Sequence, residues 1–273
     1  MVGEAVAHPA ATPEPRYAEA SISEEPGAGA VGQPAVLPRL RPPTGCVLSQ
    51  DLGRLPVEPK TGQEEFHADG EGLGSNLLSF WRWSTSDLVS NVTRGRLAEF
   101  IVAKALGIST DGVRNEWDAY DLETEDGVKI EVKSAAYLQS WHQERLSSII
   151  FRVPKTKSWD PDSNRLENEA KRPADVYVFA VLAHRDKPTV DPLNVNQWHF
   201  YVLPTRILDE RTRSQHSITL KTLERLSNGS VPFQELRIAV QEAFKQEVKR
   251  VTFRSTTIPA QAFENTDFKT LTD

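Results

Sequence analysis

The stretch Asp121-Leu122-Glu123-Thr124-Glu125-Asp126-Gly127-Val128-Lys129-Ile130-Glu131-Val132-Lys133 decides how this chain is read. Within it Val128, Ile130 and Val132 alternate with Lys129, Glu131 and Lys133. A period of two turns the three aliphatics to one face of a strand and the three charges to the other. The preceding run, Glu116–Glu123, reads as the partner strand, with Tyr120 and Leu122 apolar and Asp121 and Glu123 polar. Matching the two apolar faces sets the register, because a slip of one residue would reverse every side chain. A three-residue loop, Glu125-Asp126-Gly127, satisfies that register, with Gly127 taking the left-handed position. Thr124 then faces Val128, and Asp121 faces Glu131.

Directly opposed residues lie about 4.5–5.5 Å apart at Cα, close enough for two carboxylates to share one divalent ion. Without a cation they repel each other. An oxygen-donor site with few carboxylates and several waters suits Mg²⁺, with Mn²⁺ as the alternative. The backbone carbonyl of Val132 is the expected third donor. Lys133, two residues along the same face, is placed to orient an attacking water and hold a phosphate. A plainer reading makes Asp121, Glu131 and Lys133 exposed cross-strand charge pairs. A two-residue loop would bring Asp118 to the charged face instead, while turning Tyr120 and Leu122 outward. Asp118 therefore stands as the alternative to Asp121.

These residues resemble a known family. Asp121 followed by Glu131-Val132-Lys133 is similar to the Asp…Glu-x-Lys signature of the PD-(D/E)XK, or restriction-endonuclease-like, nuclease superfamily. The likeness takes in the preceding helix, the following Ser134-Ala135-Ala136, and the order of elements over roughly residues 86–205. Tyr120 stands where the family usually has proline. The resemblance implies an α/β fold, a restriction-endonuclease-like mixed β-sheet core flanked by helices, and phosphodiester hydrolysis in nucleic acid. It also implies a helix acid near the metal, a place that Glu99 fits within Arg94-Gly95-Arg96-Leu97-Ala98-Glu99. On a helical wheel Leu88, Val92, Val102 and Leu106 flank Glu99, and a carboxylate in an apolar stripe is costly unless paired or metal-bound.

Outward from the hairpin, Ser86–Leu106 reads as a helix with Gly107 as its terminal cap. Ser148–Val153, Val176–Ala183 and Trp198–Leu203 read as strands, and Lys221–Leu226 and Pro232–Val248 as helices. A short helix is expected from Tyr137 to His142. Nucleic-acid contacts are expected from Ser134, Gln139 and Trp141, and from Lys155 and Lys157 in the polar loop Lys155–Pro173, which also carries Lys171 and Arg172.

Residues 1–74 hold ten of the 15 glycines and ten of the 18 prolines, with five basic against eleven acidic side chains. Such a segment buries too little apolar surface to offset its ordering entropy, so it reads as a disordered leader before a domain at 75–273. The net charge of −6 sits in this leader, which leaves the rest formally neutral and excludes a histone-like protein. A single cysteine, Cys46, excludes a disulfide framework and a multi-cysteine zinc site. No apolar run is long enough for a membrane span, and no signal-peptide pattern opens the chain, so a cytoplasmic location is expected. The function read from the sequence is a Mg²⁺-dependent restriction-type DNA endonuclease, with RNA and a homodimer left open. Its rival is a noncatalytic nucleic-acid-binding or assembly module that keeps the fold.

Overall fold

Val176–Leu182 is apolar at all seven positions, and all seven are buried. A strand of that kind needs cover on both faces, and the rest of the domain is arranged to provide it. The computed structural model describes residues 53–160, 163–212 and 214–255, with side chains as far as residue 248.

The strands are β1 (Glu65–Ala68), β2 (Glu71–Asn76), β3 (Leu122–Glu123), β4 (Lys129–Ala136), β5 (Ile150–Arg152), β6 (Trp159–Asp160), β7 (Arg165–Leu166), β8 (Val176–Leu182), β9 (Trp198–Pro204) and β10 (Ser217–Thr219). The helices are α1 (Leu77–Thr85), α2 (Asn91–Leu106), α3 (Thr205–Asp209), α4 (Leu220–Ser227) and α5 (Leu236–Ser255). The main sheet runs β3-β4-β8-β9, with β4 parallel to β8 and both outer pairs antiparallel. Two-stranded ribbons β1–β2, β5–β10 and β6–β7 complete a mixed α/β architecture.

The pleat of β8 sorts the core into two halves. Val176, Val178, Ala180 and Leu182 pack with Ile101 and Val102 of α2 and Leu236 and Val240 of α5. Tyr177, Phe179 and Val181 pack with Phe151 of β5, Leu208 of α3, Ile218 of β10 and Leu223 of α4. Phe151 meets Phe179 edge-on at 5.0 Å between ring centres, a geometry favoured by the ring quadrupoles.

Several elements differ from the sequence reading. Ordered structure begins inside the expected leader: Asp69 and Gly70 both take positive φ, 51° and 86°, in the turn that joins β1 to β2. Asp-Gly is a strong hairpin signal, here hidden in a segment judged by composition. Residues 1–52, including Cys46, lie outside the described residues. The helix expected from Ser86 starts only at Asn91, because Asp87 Oδ1 accepts from the amides of Val89 and Ser90 and forms a turn before α2, while α1 precedes that turn. Of Glu116–Glu123 only the last two residues are strand. No helix forms at Tyr137–His142, and the 155–173 loop contains the β6–β7 ribbon. Among the described residues, no helix is long and apolar enough to cross a membrane.

Candidate active site

The site grows from the end of the β3–β4 ladder. Leu122 pairs with Ile130 and Glu123 with Lys129, the register of a three-residue loop. Gly127 closes that loop at φ 78°, and its amide donates to the Thr124 carbonyl at 2.9 Å. Regular pairing then stops. The Asp121 amide donates to the Ile130 carbonyl at 3.0 Å, and the next amide on β4 that faces β3, that of Val132, goes to Asp121 Oδ2 at 2.7 Å. Asp121 is thus not squarely opposed to Glu131 as a ladder partner: its carboxylate replaces the missing strand carbonyl. The amide and carbonyl of one strand residue point the same way, so the Val132 carbonyl also faces the side where β3 has ended.

Four charged side chains join Asp121 there. Glu99, from α2, accepts from Arg114 Nε, and Arg114 also lies 3.6 Å from Asp121 Oδ1. Glu131 is ion-paired with Lys133. The three carboxylates are 13–18% exposed against 37% for Arg114 and 31% for Lys133, so the acids sit inward and the cations outward. Burial pushes the Glu99 and Glu131 carboxyls above their ordinary range, and the Asp121 charge adds to both shifts.

A cleft of about 450 Å³ opens beside this cluster, lined by Glu131, Lys133, Ser134, Arg152, Thr156 and Tyr177 among others. Tyr177 neighbours Glu131 across the parallel β4–β8 pair, and its hydroxyl is held far above its usual titration range, first by burial and then by the Glu131 charge.

Against known proteins, the family model of bacteriophage T4 endonuclease IV matches residues 75–222. The chain belongs to that family. No curated protein matches it. The endonuclease IV match spans Glu99, Arg114, Asp121, Glu131, Lys133 and Tyr177 and ends before α5. Membership of the endonuclease IV family supports a nuclease, with DNA as the substrate that such a family acts on.

In this endonuclease IV family member the donor set is hard and sparse. Two carboxylates and a backbone carbonyl suit a small ion that keeps several waters, as Mg²⁺ does. Among the described residues, no group of three or more His, Cys, Asp and Glu side chains is arranged to hold an ion. The third acid, Glu99, is instead engaged by Arg114.

Asp118 is exposed and accepts from the Asn115 side chain in its own loop. Ser134 Oγ accepts from the buried Arg94 Nε at 3.2 Å while still lining the cleft. Gln139 is corrected: it is 7% exposed, and its amide donates to the Ala136 carbonyl and Ser147 Oγ, so it shapes a loop and cannot reach a base. Trp141 is 55% exposed and is not one of the residues that line the Glu131 cleft. Lys155 lies 3.4 Å from Asp209, and Lys157 is exposed. Arg172 is corrected from a loop cation to an internal brace: buried, it donates to the carbonyls of Val153 and Gln215. Arg114 and Tyr177 were not foreseen. Arg114 lies in an aperiodic polar segment, and Tyr177 is adjacent to Glu131 only through the parallel pairing of strands 46 positions apart in register.

Proposed function

We propose that this protein is a Mg²⁺-dependent endonuclease of restriction type, hydrolysing phosphodiester bonds in DNA on a PD-(D/E)XK arrangement. The observation that carries the reading is the convergence of Asp121, Glu131 and Lys133 at the edge of a solvent-open cleft. Asp121, Glu131 and the Val132 carbonyl would hold the ion, which when bound acidifies a water and offsets charge on the phosphoryl oxygens. Lys133 serves the attacking water and the scissile phosphate with its ammonium group. Tyr177 lines the cleft beside Glu131, and Glu99 anchors Arg114. The restriction role rests on likeness of motif alone. RNA as substrate and Mn²⁺ as ion are alternatives within the same reading.

One observation favours the noncatalytic module: Arg114 and Lys133 are both ion-paired to the acids, as a plain charge cluster would have it. The two readings separate in a cleavage assay on plasmid, linear duplex, single-stranded DNA and RNA, with Mg²⁺, Mn²⁺ or EDTA. Asp121→Asn and Glu131→Gln are each expected to abolish metal-dependent cleavage while DNA binding survives or tightens, since negative charge facing phosphate is removed. Loss of activity in Asp118→Asn with retention in Asp121→Asn would move the metal ligand to Asp118. Absence of cleavage by the wild-type chain on every substrate would favour the module.

A further inference from the structure

We propose that Arg114, anchored on Glu99, is a built-in counter-ion that competes with a divalent cation for the carboxylate of Asp121. This rests on the nuclease reading and adds a control on ion binding to it. The two oxygens of Asp121 have different partners. Oδ2 is committed to the Val132 amide at 2.7 Å, and that bond is structural, because it terminates the β3–β4 ladder. Oδ1 is the oxygen left for an ion, and Oδ1 is the one that the Arg114 guanidinium approaches at 3.6 Å. The same guanidinium holds Glu99 through Nε. One planar cation therefore spans the helix acid and the hairpin acid, as its fork of donors allows.

Position supports competition over simple bracing. Arg114 is 37% exposed against 13% and 18% for the two acids it meets, so its guanidinium can leave Asp121 for solvent while the acids stay in place. The backbone that carries Arg114 is fastened independently. Arg96 on α2 pairs with Glu116 at 2.7 Å, and Trp117 packs edge-on against Trp159 at 5.4 Å. The long side chain can thus release Asp121 without its segment unfolding. A brace between buried groups looks different here: Arg94 is 3% exposed and bonded to Val89, Asn91 and Ser134.

Coupling of this kind is reciprocal. Whatever factor Arg114 imposes on the affinity for the ion, the ion imposes on the Arg114–Asp121 contact. Arg114 offsets the repulsion between Glu99 and Asp121, and a bound ion would make that relief redundant.

The test is Mn²⁺ binding by the full chain, read by the electron paramagnetic resonance of free Mn²⁺, with no turnover involved. Arg114→Gln is expected to bind about tenfold tighter than wild type, within the usual range of site-to-site coupling. Arg114→Lys, which keeps a charge but can hold only one of the two acids, is expected to fall between them. Lys104→Gln removes one positive charge from the exposed face of α2, outside the cluster, and is expected to bind as wild type does. In EDTA, Arg114→Gln is expected to melt below wild type, with saturating Mn²⁺ narrowing the gap. Equal or weaker Mn²⁺ binding by Arg114→Gln, or an equal gain in Lys104→Gln, overturns the proposal. Asp121→Asn supplies the separate control: undiminished Mn²⁺ binding there overturns the metal reading of the site itself, and this proposal with it.

Discussion

Lys133 is the side chain on which the catalytic reading depends most directly. Its ammonium group is paired with Glu131 and lines the cleft while remaining 31% exposed, so it is anchored at one end of its reach and open to a phosphate at the other. Lys133→Met keeps most of the aliphatic stem and removes the charge, so the fold should persist. Turnover is expected to fall by at least about a hundredfold, the scale at which losing one preorganised electrostatic group is felt. DNA affinity should change little, since one phosphate contact among many contributes modestly and in proportion to salt. As a surface charge pair Lys133 would be worth under about 1 kcal/mol, with no activity to lose. Single-turnover cleavage and binding, measured at one salt concentration, separate the two. At this scale the sequence was partly legible. Glu131 and Lys133 announce themselves by alternation with buried Ile130 and Val132. Arg114 does not, because its partners come from a helix and a hairpin that only folding brings together.

At the scale of the element, the hairpin register depends on Gly127. Its φ of 78° is left-handed, and a Cβ built there meets only Glu123 Oε1 at 3.8 Å, an ordinary contact. Gly127→Ala therefore tests backbone strain without a clash, and a loss of about 1–2 kcal/mol is expected. Gly127→Asn should lose less, since Asn tolerates that region. Urea unfolding is the measurement, with the midpoint falling and the slope unchanged; a shift in slope would mean a change of compactness instead of simple strain. The turn and register were readable because apolar parity and glycine both point to one answer. The strand expected from Glu116 to Asp121 was not, because the Asp121 carboxylate takes the Val132 amide and ends the ladder. Alternation alone carries no trace of a side chain replacing a backbone acceptor. The β1–β2 hairpin was missed for the opposite reason: a strong local turn, Asp69-Gly70, sat within a composition that argued for disorder.

At the scale of the molecule, the question is what the folding unit includes. The family match ends at residue 222, yet one face of the main sheet is closed by α5, which begins at Leu236. Leu236 is fully buried, Val240 and Ala243 nearly so, and all three belong to the core half that holds Ile130, Val132, Val178 and Trp198. Those β4 residues are the ones that fix which face Glu131 and Lys133 present, so the helix supports the site through the sheet. Leu236→Ala in the full chain is expected to cost about 2–5 kcal/mol, as deletions of a buried leucine do, with turnover normal well below the melting point. Ending the chain after residue 222 removes the helix altogether and uncovers the sheet face behind it. Burial of each large aliphatic side chain contributes about 1.5–3 kcal/mol, against total stabilities of about 5–15 kcal/mol, so the shortened chain should show no cooperative transition. Circular dichroism through a thermal scan reads both variants. A sharp melt in the chain ended at 222, close to that of the full chain, would make α5 an appendage and confine the folding unit to the family-matched span.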